Sequence, residues 1–94
     1  MRKIAIIGSR KYQALDLVTQ LVNSLADEIT DLVLISGGAL GVDQAADRAA
    51  RARNMNRVII YPDYVRFKKF APLKRNEEIV DLADAVIAFH NGDS

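Results

Sequence analysis

Four short apolar runs, at residues 3–7, 32–35, 57–61 and 85–89, are separated by three stretches with helical periodicity, and this alternation leaves few folds open. Ala14, Leu15, Val18, Leu21, Val22, Leu25 and Ile29 recur at helical spacing and predict an amphipathic helix over 12–28. Val42, Ala45, Ala46, Ala49 and Ala50 give a second helix a face of small residues that can lie close to a sheet, with Asn54 as its left-handed stop. Pro62 ends the third run, and residues 62–70 read as an irregular loop with one helical turn. Pro72 suits the start of a third helix that carries Ile79, Val80, Leu82 and Ala83 inward.

A strand-helix alternation of this kind implies a parallel sheet with right-handed crossovers and helices on both faces. The expected fold is a Rossmann-like α/β/α sandwich, C-terminally short, with strand order 3-2-1-4. Strands one and four then flank the topological switch point, where ligands bind beyond the carboxyl ends of the strands. Three loops are expected to meet there: residues 8–10, residues 37–43 and residues 90–94. No helix follows the fourth strand, so its flank is expected either to stay open or to be covered by a partner such as a second copy of the chain.

Residues 1–94 are expected to form a single domain, with no boundary or internal repeat. A net charge of +1 gives no overall attraction to nucleic acid or acidic membranes. The absence of cysteine removes disulfides, thiolate metal sites and thiol nucleophiles, and the short apolar run after Met1-Arg2-Lys3 does not make a signal peptide. A cytoplasmic location is expected. No metal or cofactor is anticipated, since His90 has no second histidine or acid cluster beside it.

The glycine-rich turn Ser36-Gly37-Gly38-Ala39-Leu40-Gly41-Val42-Asp43 lies between a strand and a helix N-terminus. Such a turn offers backbone N–H groups, backed by the helix dipole, to a phosphate or carboxylate. Gly8-Ser9-Arg10-Lys11, after the first strand, adds a hydroxyl and two cations. Asp43 either favours the helix dipole or accepts a hydrogen bond from a ribose hydroxyl or an amino group. Asp47 and Arg51, four residues apart, suit a weak surface pair. Arg75 and Asn76, early in the third helix, are placed near the same edge, where Arg75 could neutralise a phosphate. Arg66, Lys68, Lys69, Lys74 and Arg75 interleave with Tyr64, Phe67 and Phe70, a pattern that can bind single-stranded nucleic acid or the base and phosphates of a nucleotide, whereas the bland reading has the aromatics covering the sheet edge and the lysines solvated. The G-x-G-x-x-G dinucleotide fingerprint is absent after the first strand, and Ser36 stands where an acid would end the second.

In this order, Gly8-Ser9-Arg10, Gly37-Gly38-Ala39-Leu40-Gly41-Val42-Asp43, Tyr61-Pro62-Asp63 and Arg75-Asn76 resemble the SLOG superfamily of Rossmann-like proteins, and most nearly its small YspA-like branch. The superfamily includes the Smf/DprA recombination mediators and the Lonely Guy phosphoribohydrolases. The resemblance implies a pocket for a nucleotide or nucleotide derivative at the switch point. Gly8, Ser9, Arg10, Gly37, Gly38, Gly41, Asp43, Arg75 and Asn76 would be its ligand-binding residues. Members usually continue with Ser-x-Gly-Thr, a helix and a strand, whereas this sequence ends at Ser94. The Lonely Guy signature is absent, and Phe70-Ala71 stands where the branch often has Ala-Gly. The leading expectation is binding or sensing of an ADP-ribose-like nucleotide derivative through its phosphates. The alternatives are N-glycosidic hydrolysis of a nucleotide, with Asp43, Glu77 or Asp93 as the acid, and single-stranded DNA binding through residues 66–75.

Overall fold

The computed structural model describes residues 1–89 of the chain. Strand β1 (Arg2–Gly8) and strand β2 (Leu32–Ser36) lie at the centre of a four-stranded parallel sheet ordered β3-β2-β1-β4, with β3 at Asn56–Ile59 and β4 at Ala85–Phe89. The expected strand order is therefore the observed one. Ile4 of β1 faces Leu34 of β2 and Ala85 of β4 across the ladder, and Ile35 faces Val58. Burial follows position. Every residue of β2 is buried, as a strand covered on both faces requires, whereas β3 and β4 form the edges and are largely exposed.

The period-two alternation of strand side chains divides the core. Ile6 and Leu34 point to one face, where they pack with Val18 and Val22 of helix α1 (Leu15–Glu28). The alanine face of helix α2 (Val42–Ala52) joins the same cluster through Ala45, Ala46, Ala49 and Ala50. Ala5 and Ile35 point to the other face and meet Ile79. Ile79 belongs to helix α4 (Ala71–Leu82), which follows the single-turn helix α3 (Tyr64–Phe67) and a 3-10 turn, Lys68–Phe70. Helices thus cover both faces, and the crossover through α4 carries the chain from β3 back to pair with β1.

Several boundaries differ from the sequence expectation for local reasons. Helix α1 begins at Leu15 rather than residue 12, because residues 9–13 turn on themselves. There Tyr12 N donates to the Ser9 carbonyl at 3.2 Å, and Lys11 N donates to Ser9 Oγ at 3.1 Å. The Tyr12 ring packs edge-on against Phe89, with centroids 5.4 Å apart. Strand β3 ends at Ile59, although Ile60 N still donates to the Ser36 carbonyl at 2.9 Å. On α4 only Ile79 of the four expected core residues is fully buried, and Val80 is 59% exposed, because the helix rests on the sheet along a narrow stripe. Asn54 does stop α2, with φ +55°. Asp47 pairs with Arg57 of β3 at 2.8 Å instead of with Arg51, because the neighbouring strand brings a cation closer than the next helical turn does. Among the described residues no helix is long and apolar enough to cross a membrane. His90 and the loop at residues 90–94 lie outside the described residues.

Candidate functional site

The glycine turn is closed from within. Asp43, in the first turn of α2, is 2% exposed, and its Oδ2 accepts hydrogen bonds from Gly37 N at 3.1 Å and Ala39 N at 3.2 Å. Two of the amides expected to face an external anion are thus occupied by the protein's own carboxylate, which fills the position at the helix N-terminus that the dipole favours for negative charge. This corrects the expectation of a turn with outward amides. Asp43 Oδ1 is buried and makes no hydrogen bond among the described residues. Burial raises the Asp43 carboxyl above the ordinary carboxylate range. The Ala39 amide, the Arg75 charge and the amides of Gly37 and Gly8 pull the other way without cancelling it.

Arg75 reaches the turn from α4. Its Nη1 donates to the Gly37 carbonyl, and its Nε donates to Asn76 Oδ1 at 2.9 Å. A Cβ added at Gly37 would lie 2.6 Å from Arg75 Nη1 and 2.8 Å from Asp43 Oδ2, so a larger residue there has to displace the guanidinium or the carboxylate. Gly37, Asp43 and Arg75 therefore form one unit that ties β2, α2 and α4 together and fixes the guanidinium. Arg75 has five N–H groups, so three remain for other acceptors after these two bonds.

The loop after β1 closes the other side. Gly41, which precedes α2, lies against its backbone, and a Cβ there would be 3.2 Å from the Arg10 carbonyl. Between the loops lies a cleft of about 550 Å³, lined by Gly8, Arg10, Gly38, Ala39, Tyr61, Pro62, Tyr64, Pro72 and Arg75. A smaller cleft of about 290 Å³ adjoins it through Gly8, Ala39 and Arg75, and adds Ser9, Asp43 and Asn76 together with Ala88 and Phe89 of β4. A third, of about 320 Å³, shares Gly38, Ala39 and Tyr61 with the first and continues along α2 past Gln44, Arg48 and Arg51.

The residues singled out from sequence are thus gathered at the carboxyl ends of β1 and β2, but not in the same way. Gly8, Arg10, Gly38 and Arg75 line the main cleft, and Ser9 and Asn76 line its smaller neighbour. Gly37 and Asp43 are buried supports, and Gly41 seats one loop on the other. Tyr61 and Tyr64, read from the sequence as part of the Tyr61-Pro62-Asp63 motif and of the aromatic-basic cluster but not as ligand-binding residues, are 66% and 52% exposed in the cleft wall.

The match with a protein-family model spans residues 2–67, from the first residue of β1 to the end of α3, and takes in both loops and Tyr61. The chain belongs to the YspA, cpYpsA-related SLOG family. Arg75 and Asn76 lie beyond the matched segment of this SLOG domain, so their place in the cleft rests on the geometry alone. No curated protein and no solved structure matches the chain. Among the described residues no group of histidine, cysteine, aspartate or glutamate is arranged to hold a metal ion.

Proposed function

We propose that this SLOG domain binds a nucleotide or nucleotide derivative, ADP-ribose-like in its chemistry, through its phosphates in the cleft beyond the carboxyl ends of β1 and β2. One observation carries the reading. Arg10, from the loop after β1, and Arg75, from α4, line one cleft of about 550 Å³ together with the backbone of Gly8 and Gly38. Two arginines lining one concave site suit a phosphate, which arginine grips bidentately. The cleft volume is in the range of small-molecule sites.

The alternatives have less support. Hydrolysis of an N-glycosidic bond needs an acid facing the sugar; of the described candidates, Asp43 Oδ2 is held by the Gly37 and Ala39 amides and Glu77 pairs with Lys74 at 3.6 Å on the helix surface, while Asp93 lies outside the described residues. Stacking of single-stranded DNA needs free aromatic faces in the segment after Asp63. There, cations stand over two of the three rings, Arg66 at 5.1 Å from the Phe67 centroid and Lys69 at 5.4 Å from that of Phe70, which among the described residues leaves Tyr64 as the one ring without a cation over it.

Calorimetry with nucleoside mono- and diphosphates and ADP-ribose tests the proposal. Charge-assisted hydrogen bonds contribute about 1.5–3 kcal/mol, so Arg10→Ala is expected to weaken binding roughly 10-fold or more. Arg75→Lys, which keeps the charge but loses the fork, is expected to weaken it less. Absence of heat with every ligand, or affinity unchanged in both variants, refutes the assignment.

A further inference from the structure

Tyr61 is placed to act as a platform for a planar base. It ends the run after β3 and is 66% exposed, although an aromatic residue so placed gains little from burial. The ring is nonetheless held. Gly38 has φ +74°, and a Cβ there would lie 2.6 Å from Tyr61 Cε1 and 2.7 Å from Cδ1, so the Cδ1–Cε1 side of the ring rests where only glycine fits. A largely exposed ring seated against the main chain on one side suits stacking, because little side-chain freedom is lost when a ligand arrives. Tyr64 lines the same cleft from the first position of α3, whose start is set by Asp63 Oδ1 accepting from Arg66 N at 3.1 Å. Arg10 and Arg75 belong to that cleft as well.

We infer that the cleft selects phosphate esters carrying a planar heteroaromatic base over sugar phosphates that lack one, with Tyr61 as the specificity-determining residue. This rests on the phosphate-binding reading above, and the experiment separates the two. The probes are the four common ribonucleoside 5′-monophosphates and ribose 5-phosphate. The readouts are calorimetry and intrinsic tyrosine fluorescence, which is well suited to a chain with three tyrosines and no tryptophan. The best monophosphate is expected to bind about 10-fold or more tighter than ribose 5-phosphate, in line with base–aromatic stacking, and to quench the fluorescence. Tyr61→Leu should abolish that preference and leave ribose 5-phosphate affinity unchanged, whereas Tyr61→Phe should retain the preference. Arg10→Ala should weaken every probe.

Equal binding of ribose 5-phosphate and the monophosphates overturns the base platform and leaves the phosphate site standing. So does a Tyr61→Leu variant that weakens all probes alike. If no probe binds, or if Arg10→Ala changes nothing, both readings fall.

Discussion

Replacing Gly37 with alanine probes the unit on which the site is built. The backbone there is not left-handed, unlike that of Gly38 and Gly41, so alanine adds no torsional strain and the effect is purely steric. The new methyl would stand 2.6 Å from Arg75 Nη1, 2.8 Å from Arg75 Cζ and 2.8 Å from Asp43 Oδ2, well inside contact distance. Overpacking of this kind typically costs about 1–3 kcal/mol. At about 2 kcal/mol, a domain of this size should lose roughly 8–16 °C in Tm. The clash also identifies its own suppressor. Arg75→Ala removes two of the three obstructing atoms, so the double variant should be more stable than the sum of the single effects by roughly 1 kcal/mol. Thermal melts followed by circular dichroism on the parent, both single variants and the double variant close the cycle. A Gly37→Ala protein that melts with the parent, or a strictly additive double variant, refutes the claim that Gly37, Asp43 and Arg75 form one packed unit.

Two further outcomes follow from the same geometry. Burial raises the folded-state pKa of Asp43 above its ordinary value of 3.8, so its contribution to stability is full below that pH and is lost as pH rises through the folded value. In urea melts at stepped pH, the stability of the parent relative to Asp43→Asn should therefore decline from acid toward neutral pH; a rising difference would mean that the amides and Arg75 outweigh burial. On α4, Ile79→Ala should cost about 2–5 kcal/mol as a buried large-to-small change, whereas Val80→Ala should stay within about 0.5 kcal/mol. Similar losses for the two, measured by denaturant titration, would place α4 on the sheet differently.

The fold was legible because its signals are local and mutually consistent. The fully apolar β2 could only be central, and the alanine face of α2 could only lie against something close. What periodicity could not resolve was how much of a helix face the sheet would cover. Val80 follows Ile79 directly and is equally apolar, yet only Ile79 is buried, because successive residues of a helix point about 100° apart and the sheet covers one of the two directions. The partner of Asp47 was illegible for a related reason: spacing along one helix says nothing of Arg57 on the neighbouring strand. The site residues were legible as a set, since turns at strand ends meet at one edge. Their division of labour was not. That Asp43 would fold back on the turn depends on a side-chain rotamer and on burial, neither of which a motif encodes.

That division of labour changes which chemical groups meet an anion. In a glycine-rich turn with free amides, recognition is carried by the main chain and changes little with side-chain substitution. Here Asp43 occupies the amides of Gly37 and Ala39, and Arg75 occupies the Gly37 carbonyl, so three of the turn's polar groups are committed and this part of it acts as a frame. Anion affinity must then come chiefly from the guanidinium groups of Arg10 and Arg75, with Asp43 as a nearby opposing charge when ionised. Such a site should respond to ionic strength, because Arg10 is exposed and its field is screened within about a Debye length, ~10 Å at 0.1 M salt. Affinity for a nucleoside monophosphate should accordingly fall as salt rises in the parent and fall less steeply in Arg10→Ala. A site built on turn amides would show the same salt slope in both, and finding equal slopes would return the glycine turn to the role of anion cradle.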